Sequence, residues 1–296
     1  MGIEAAQVDR QKTVDIGKTI RKKVQIHWLM LLAVPLLFIL VFYVYPISGM
    51  FLRSFFSPEF TLTQYVKIFD QPAYLKVLVE TFKMSATVTL LSLLLGYPVA
   101  YLLSQVSPRV RNLLLIMVVL PFLTAILVRT YAWMVILGRN GILNQILMQL
   151  GIVSSPLRLM HNLFSVYLGM VQVLLPFMIL PLYSVMAGID RRLMRAAENL
   201  GANPFQVFLR IFLPLSLPGV GGGCLLVFII GLGFFITPAL LGGPSDVMIS
   251  MFIETQVHSV LDFEFASALA VLLLGVTLVI FAIYSRFFGV ERMVGQ

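Results

Sequence analysis

The sequence predicts an all-α, polytopic membrane protein with six transmembrane helices. Three observations predict it: the composition, the length of the apolar runs, and the basic residues placed between them. Of 296 residues, 59% belong to the set AVILMFWYC and only 11% are charged, with a mean hydropathy of +0.97. Soluble domains carry about 25% charged residues, so water cannot be the solvent for most of this surface. The formal charge of +8 would suit a nucleic-acid partner, but the positions of the cations argue for membrane topology instead.

A bilayer core needs roughly 20 apolar residues per helix. Six segments qualify: about Ile26–Phe51, Met84–Gln105, Leu113–Leu137, Asn162–Ile189, Leu217–Leu241 and Phe265–Phe288. Residues 1–25 form a polar, basic tail and 26–296 the membrane domain. The run from Trp28 to Tyr45 exceeds the apolar core of a signal peptide and no A-x-A-like site follows it, so it is expected to be retained as the first span. Pro176 and Pro181 interrupt the fourth segment, and Gly219, Gly221, Gly222 and Gly223 open the fifth. Such breakers survive where neighbouring helices or a cavity satisfy the backbone.

Cations in short connections set the orientation. One side holds Arg10, Lys12, Lys18, Arg21, Lys22 and Lys23 in the tail, Arg109 and Arg111, the four arginines of residues 190–216, and Arg286 and Arg292: fourteen of the 21. The other side holds Arg53, Lys67, Lys76, Lys83, Arg129, Arg139 and Arg158. Both termini are therefore expected in the cytoplasm. Among the outer connections, 51–83 is expected to lie along the interface as short amphipathic helices. Arg139–Gly141 reads as a turn before a short helix over Ile142–Leu150, and Gly242–Asp246 as an outer turn.

The most informative connection is cytoplasmic, about residues 190–216. Arg191–Leu200 reads as a short helix with a small patch at Ala196 and Ala197. Gly201 suits a left-handed C′ position, and Asn203 with Pro204 suits the start of a second helix. Phe205, Phe208, Leu209 and Phe212 then share one face, and Pro214 and Pro218 are expected to break that helix before the membrane. The outcome is a hairpin with a small tip that another protein's groove could approach closely.

This hairpin resembles the EAA loop of binding-protein-dependent ABC importer permeases, in which Gly follows E-A-A by four residues and I-x-L-P follows after nine more. Ala196, Ala197, Gly201, Ile211, Leu213 and Pro214 keep that spacing. Arg195 stands where the pattern has an acid, and Glu198 offers an alternative acidic group. The resemblance implies that this loop docks into a cytoplasmic ATPase. Gly96–Tyr101, Val128–Trp133, Asn140–Asn144 and Pro238–Pro244 further resemble spermidine/putrescine permease subunits. The implied fold is the type I ABC importer permease in the bacterial inner membrane. The implied partners are a second permease, two ATPase subunits that bind the ATP and magnesium, a periplasmic solute-binding protein and a small-molecule solute.

This chain itself is expected to be non-catalytic, with no bound cofactor. Glu4-Ala5-Ala6 lacks the following glycine, and Gly17-Lys18-Thr19 lacks the glycine a phosphate loop needs at position 12, where Lys12 sits. His27, His161 and His258 have no metal-ligand spacing, and Cys224, the only cysteine, reads as a packing residue.

Candidate solute-path residues are Arg129, Tyr131, Gln172, Phe234, Phe235 and Thr237. An intramembrane cation is a functional candidate, although Arg129 could also snorkel to the outer interface. Gln172 could instead bond between helices, and the glycines near Phe234 could serve close packing. Asp246, Glu254 and Asp262, with Glu264 nearby, are candidates for docking the binding protein or are simply solvated. The apolar cores of the six helices contain no acid. A polyamine would favour acids or aromatic faces along its path, so a related organic cation, an amino-acid derivative, an opine, an aminophosphonate or another anionic solute fits as well. A secondary transporter would be expected to carry intramembrane carboxylates, and a membrane enzyme a nucleophile–base pair or metal cluster.

Overall fold

The computed structural model describes residues 32–56 and 59–288. The basic tail, His27, Arg292 and the start of the first span lie outside the described residues. The chain divides into two compact units, Met1–Thr61 and Leu62–Gln296. Among the described residues no strand forms, and the sole β feature is an isolated bridge between Phe56 and Phe60.

The first unit carries helix α1, Leu32–Phe55. Its register slips through a π-turn at Leu40–Val44, two residues before Pro46. The slip is the expected answer to a proline that lacks an N–H. Nearly every side chain of α1 is exposed, as a helix bathed in lipid requires.

The second unit begins with the short amphipathic α2, Thr63–Asp70, and continues into α3, Pro72–Gln105. The second span thus starts well before Met84, and Lys76 and Lys83 belong to its first turns rather than to an interfacial loop. At 34 residues, α3 is about 51 Å long, longer than the hydrocarbon core it crosses.

The third expected span is not one helix. Helix α4, Pro108–Leu123, and the segment that follows from Ile126 are bent by 93°. The cause is local: Pro121 sits in a 3₁₀ turn, and Thr124 and Ala125 are extended. The second limb comprises α5, Ile126–Leu137, and α6, Ile142–Gln149. Asn144 closes the intervening turn by donating to the carbonyls of Gly138 (3.1 Å) and Leu157 (3.0 Å).

Helix α7, Leu163–Ala187, is the centre of the unit. Its most apolar stretch is 56% buried, against 33% for α3. It keeps its helical course through Pro176 and Pro181 and starts with a capping box, Asn162 with Ser165.

After the short α8, Arg191–Asn199, α9 runs from Pro204 to Leu232. Here the expectation fails twice. Pro214 and Pro218 do not end the helix, because a π-turn at Phe208–Phe212 absorbs the register change before Pro214. The helix also stops at Leu232, and Thr237 belongs to a separate short helix, α10, Ile236–Leu241. Two further helices complete the unit: α11, Ile249–Thr255, extended by a π-turn at Gln256–Val260, and α12, Phe263–Phe288.

Lipid supplies no hydrophobic drive for helices to associate, so close contact relies on small residues. A Cβ on Gly223 would stand 2.8 Å from the sulfur and 3.2 Å from the carbonyl oxygen of Met178, and one on Gly219 would stand 3.0 Å from Val185 Cβ. A Cβ on Gly96 of α3 would stand 3.0 Å from the same Met178 side chain. Met178 and Leu182 of α7 fill the space these glycines leave, both fully buried. Replacing Gly223 by Leu should therefore lower the thermal midpoint of the purified protein, with an overpacking cost of about 1–3 kcal/mol. An unchanged midpoint would contradict the α7–α9 contact.

Candidate functional site

The hairpin between α7 and α9 is built almost wholly from local signals. The Asp190 carboxylate accepts from the Arg192 amide at 2.9 Å and caps α8. At the far end Gly201 has φ +89°. Its amide donates to the Glu198 carbonyl at 2.9 Å and the Ala202 amide to the Ala197 carbonyl at 3.0 Å, the paired bonds of a glycine-terminated helix end. Asn203 and Gln206 then cap each other reciprocally, at 2.8 and 3.1 Å.

The tip is apolar where water would be expected. Leu200 is 89% exposed and Phe205 70%; Ala196 is exposed and Ala197 half-buried. The expected single face of Phe205, Phe208, Leu209 and Phe212 is divided. Phe205 points out, whereas Phe212 is 1% exposed.

The buried part of that face holds the hairpin to α3. Tyr101 meets Phe212 edge-on at 5.0 Å and Phe208 at 5.7 Å, and the Tyr97 hydroxyl lies 2.9 Å from Ser216 Oγ. Arg191 donates to the Ser104 carbonyl at the end of α3. The hairpin is thus continuous with α9 and tied to α3. Ile211 and Leu213 are half-buried and Pro214 exposed.

The expected solute-path residues separate into two sets. Gln172 accepts from the Trp133 indole at 3.1 Å, joining α7 to α5. Thr237 lies 3.4 Å from Thr130 Oγ1, and its methyl fills the space beside Gly169. Ser165 donates to the Leu241 carbonyl at 2.8 Å. These groups make a polar junction of α5, α7 and α10. The second set lies around the helix breaks. Arg129 Nε and Nη1 are shielded and meet no acceptor among the described residues, and Tyr131 is exposed. Phe234 is buried, with its carbonyl accepting from Ser250 Oγ at 2.6 Å, and Phe235 is half-buried.

The expected docking acids are already engaged in part. Asp246 is only 4% exposed and accepts from the Gly243 amide (2.9 Å) and Ser245 Oγ (3.0 Å). It holds the Gly242–Asp246 turn rather than presenting a carboxylate to a partner. Asp262 caps α12 through the Phe265 amide (2.9 Å) and pairs with Lys67 at 3.7 Å. Lys67 also lies 4.3 Å from the Phe265 ring centre. Glu254 is half-buried on α11. Trp133, Thr130 and Ser165 were not among the candidate solute-path residues, although Thr130 and Trp133 lie in the Val128–Trp133 run noted in the sequence. The one available signal was the polar pair Thr130 and Trp133, three residues apart on the helix that also carries Arg129 and Tyr131.

The fold and the hairpin together define a class, the membrane-spanning permease of an ABC importer. Crystal structures of a bacterial ABC transporter that imports the acidic polysaccharide alginate contain the same fold. One superposes with a TM-score of 0.69 at 20% identity, covering 94% of this chain and 99% of that one. Another, in complex with an alginate pentasaccharide-bound periplasmic protein, also gives 0.69, covering 93% and 98%. No protein-family model matches the sequence.

Among characterised relatives, the spermidine/putrescine transport system permease protein PotB of Haemophilus influenzae is 41% identical over 232 residues, 78% of this chain and 81% of the relative. PotB of Escherichia coli K12 is 38% identical over 233 residues, covering 79% and 84%. The inner membrane ABC transporter permease protein YdcU of the same organism is 29% identical over 245 residues, covering 78% and 76%. The chain belongs to the PotB family of ABC transporter permeases. It is a multi-pass membrane permease subunit of an ABC importer.

The polar junction generates a spectroscopic prediction. With Trp28 replaced by Phe, Trp133 is the sole tryptophan of the two in the chain. Adding Gln172→Leu should shift its emission to shorter wavelength and lower stability by about 1 kcal/mol. Identical spectra and midpoints would show that the indole does not bond to Gln172.

Proposed function

We propose that this subunit carries a polyamine or related organic cation from periplasm to cytoplasm, driven by separate ATPase subunits docked at the 190–216 hairpin. The observation that carries the reading is the hairpin itself: a left-handed Gly201 behind an exposed apolar tip, fixed to two membrane helices. Exposed apolar patches on such a tip mark a protein contact. In this reading, ATP binding closes the ATPase pair, the hairpin moves with it, and α3 and α9 follow because both are attached to it. The helices then face outward to accept solute from a periplasmic binding protein, and hydrolysis resets them. A second permease subunit completes the pathway, both termini are cytoplasmic, and ATP and magnesium reside on the ATPase. Glu254 and Asp262 remain candidates for meeting the binding protein.

The choice of solute rests on the PotB relatives, whose names specify spermidine and putrescine. A physical feature supports it despite the lack of intramembrane acids. Helix α9 ends at Gly233, which is exposed and has no atom within 4 Å of where a Cβ would be. The free carbonyls of a helix C-terminus carry a partial negative charge that favours cations, and unwound backbone at membrane depth is tolerated where it lines a cavity. Phe235 beside it supplies an aromatic face.

Two outcomes test the proposal in vesicles holding the full transporter. Gly201→Asp should abolish ATP-driven uptake while membrane insertion is retained, since the substitution adds a charge at φ +89° in the docking turn. Full uptake would refute the docking role. Labelled spermidine or putrescine should accumulate, and an excess of an opine or an aminophosphonate should not compete. Uptake of a labelled opine or aminophosphonate with no polyamine uptake would overturn the choice of solute.

A further inference from the structure

The geometry points to a carboxylate socket at the base of the hairpin, filled in the assembled transporter by an acidic side chain of the ATPase. The inference rests on the docking proposed above and adds the chemistry of the contact.

Arg191, Arg195 and Glu198 recur at i, i+4 and i+7 on α8, the spacing of one helix face. They line a cleft of about 290 Å³ whose other wall includes Tyr101 and Gln105 of α3 and Phe208 of α9. Arg191 is committed to the Ser104 carbonyl. Arg195 is exposed and forms no ion pair within 4 Å among the described residues, not even with Glu198 one turn away. The charge around it is one-sided. Residues 190–210 hold Arg191, Arg192, Arg195 and Arg210 against Asp190 and Glu198, and the Asp190 carboxylate is occupied in capping.

An arginine in open water needs no partner, so exposure alone would mean little. Position decides the matter. Arg195 shares α8 with the 89%-exposed Leu200 and lines a recess beside the 70%-exposed Phe205 at the start of α9. A surface that covers those two side chains and also enters the recess strips water from the guanidinium. An ion buried in that way without a partner opposes association strongly. A carboxylate offers the matching planar pair of acceptors, and an aromatic-walled recess strengthens the attraction by lowering the local dielectric. The replacement of an acid by Arg195 in the hairpin pattern therefore implies an acid, not a base, on the ATPase surface it meets.

The test is the affinity of the permease, assembled in nanodiscs, for its own ATPase. Arg195→Glu restores the acid of the common pattern, yet should weaken binding about tenfold or more in dilute salt, because a charge opposing its partner repels and slows association. The deficit should narrow at about 0.5 M salt, where screening acts within a few ångströms. Arg195→Lys should keep most of the affinity, and one acid-to-lysine exchange on the ATPase groove should rescue Arg195→Glu. An affinity for Arg195→Glu equal to or tighter than the wild type would overturn the socket. The Gly201→Asp variant separates the two levels. If it loses binding while Arg195→Glu does not, only the socket is wrong; if it too binds normally, docking at this hairpin is wrong.

Discussion

The close approach of α7 to α3 and α9 is the contact on which the rest of the structure depends. In a bilayer two apolar helices gain little by touching, because lipid is as apolar as they are. Contact has to come from shape. Gly96, Gly219 and Gly223 remove side chains where Met178, Leu182 and Val185 need room, and α7 becomes the most buried span. Because α9 continues into the 190–216 hairpin and α3 is bound to that hairpin by Tyr97, Tyr101 and Ser104, a displacement of the tip reaches both flanks of α7 together.

The non-helical positions show where such a displacement could be absorbed. At membrane depth an unpaired backbone group is costly, so breaks are confined to sites with internal partners or a cavity. Thr124–Ala125 divides α4 from α5 at a 93° bend, and Gly233–Phe235 divides α9 from α10. The short limbs beyond both breaks, α5 and α10, are held to α7 by Trp133 with Gln172 and by Ser165 with the Leu241 carbonyl, and to each other by Thr130 with Thr237. The bends are therefore braced by side chains from one central helix.

The legibility of the chain followed the range of the interactions involved. The spans were legible because a long apolar run admits few other solvents than lipid. Gly201 and Asn203 were legible because the groups they satisfy lie within four residues. Proline was misread in both directions: Pro214 and Pro218 sit inside a helix, while Pro121 contributes to a break that the hydropathy pattern bridges. What a proline does depends on whether neighbouring turns can shift register, and composition does not report that. Asp246 looked like a free surface acid because its partners are a backbone amide and a serine with no sequence signature. Pairs such as Trp133 with Gln172, 39 residues apart, and Ser165 with the Leu241 carbonyl, 76 apart, are products of the tertiary fold.

The central claim is that the 190–216 hairpin lies in the cytoplasm and is covered by the ATPase. It is tested most directly by cysteine accessibility at its tip. In a Cys224→Ser background the chain has no other cysteine, and Leu200→Cys places a single thiol at the most exposed apolar position of the hairpin. A membrane-impermeant maleimide should label it in inverted vesicles and not in intact spheroplasts, and bound ATPase should protect it. Labelling from the periplasmic side, or equal labelling with and without the ATPase, would contradict the account.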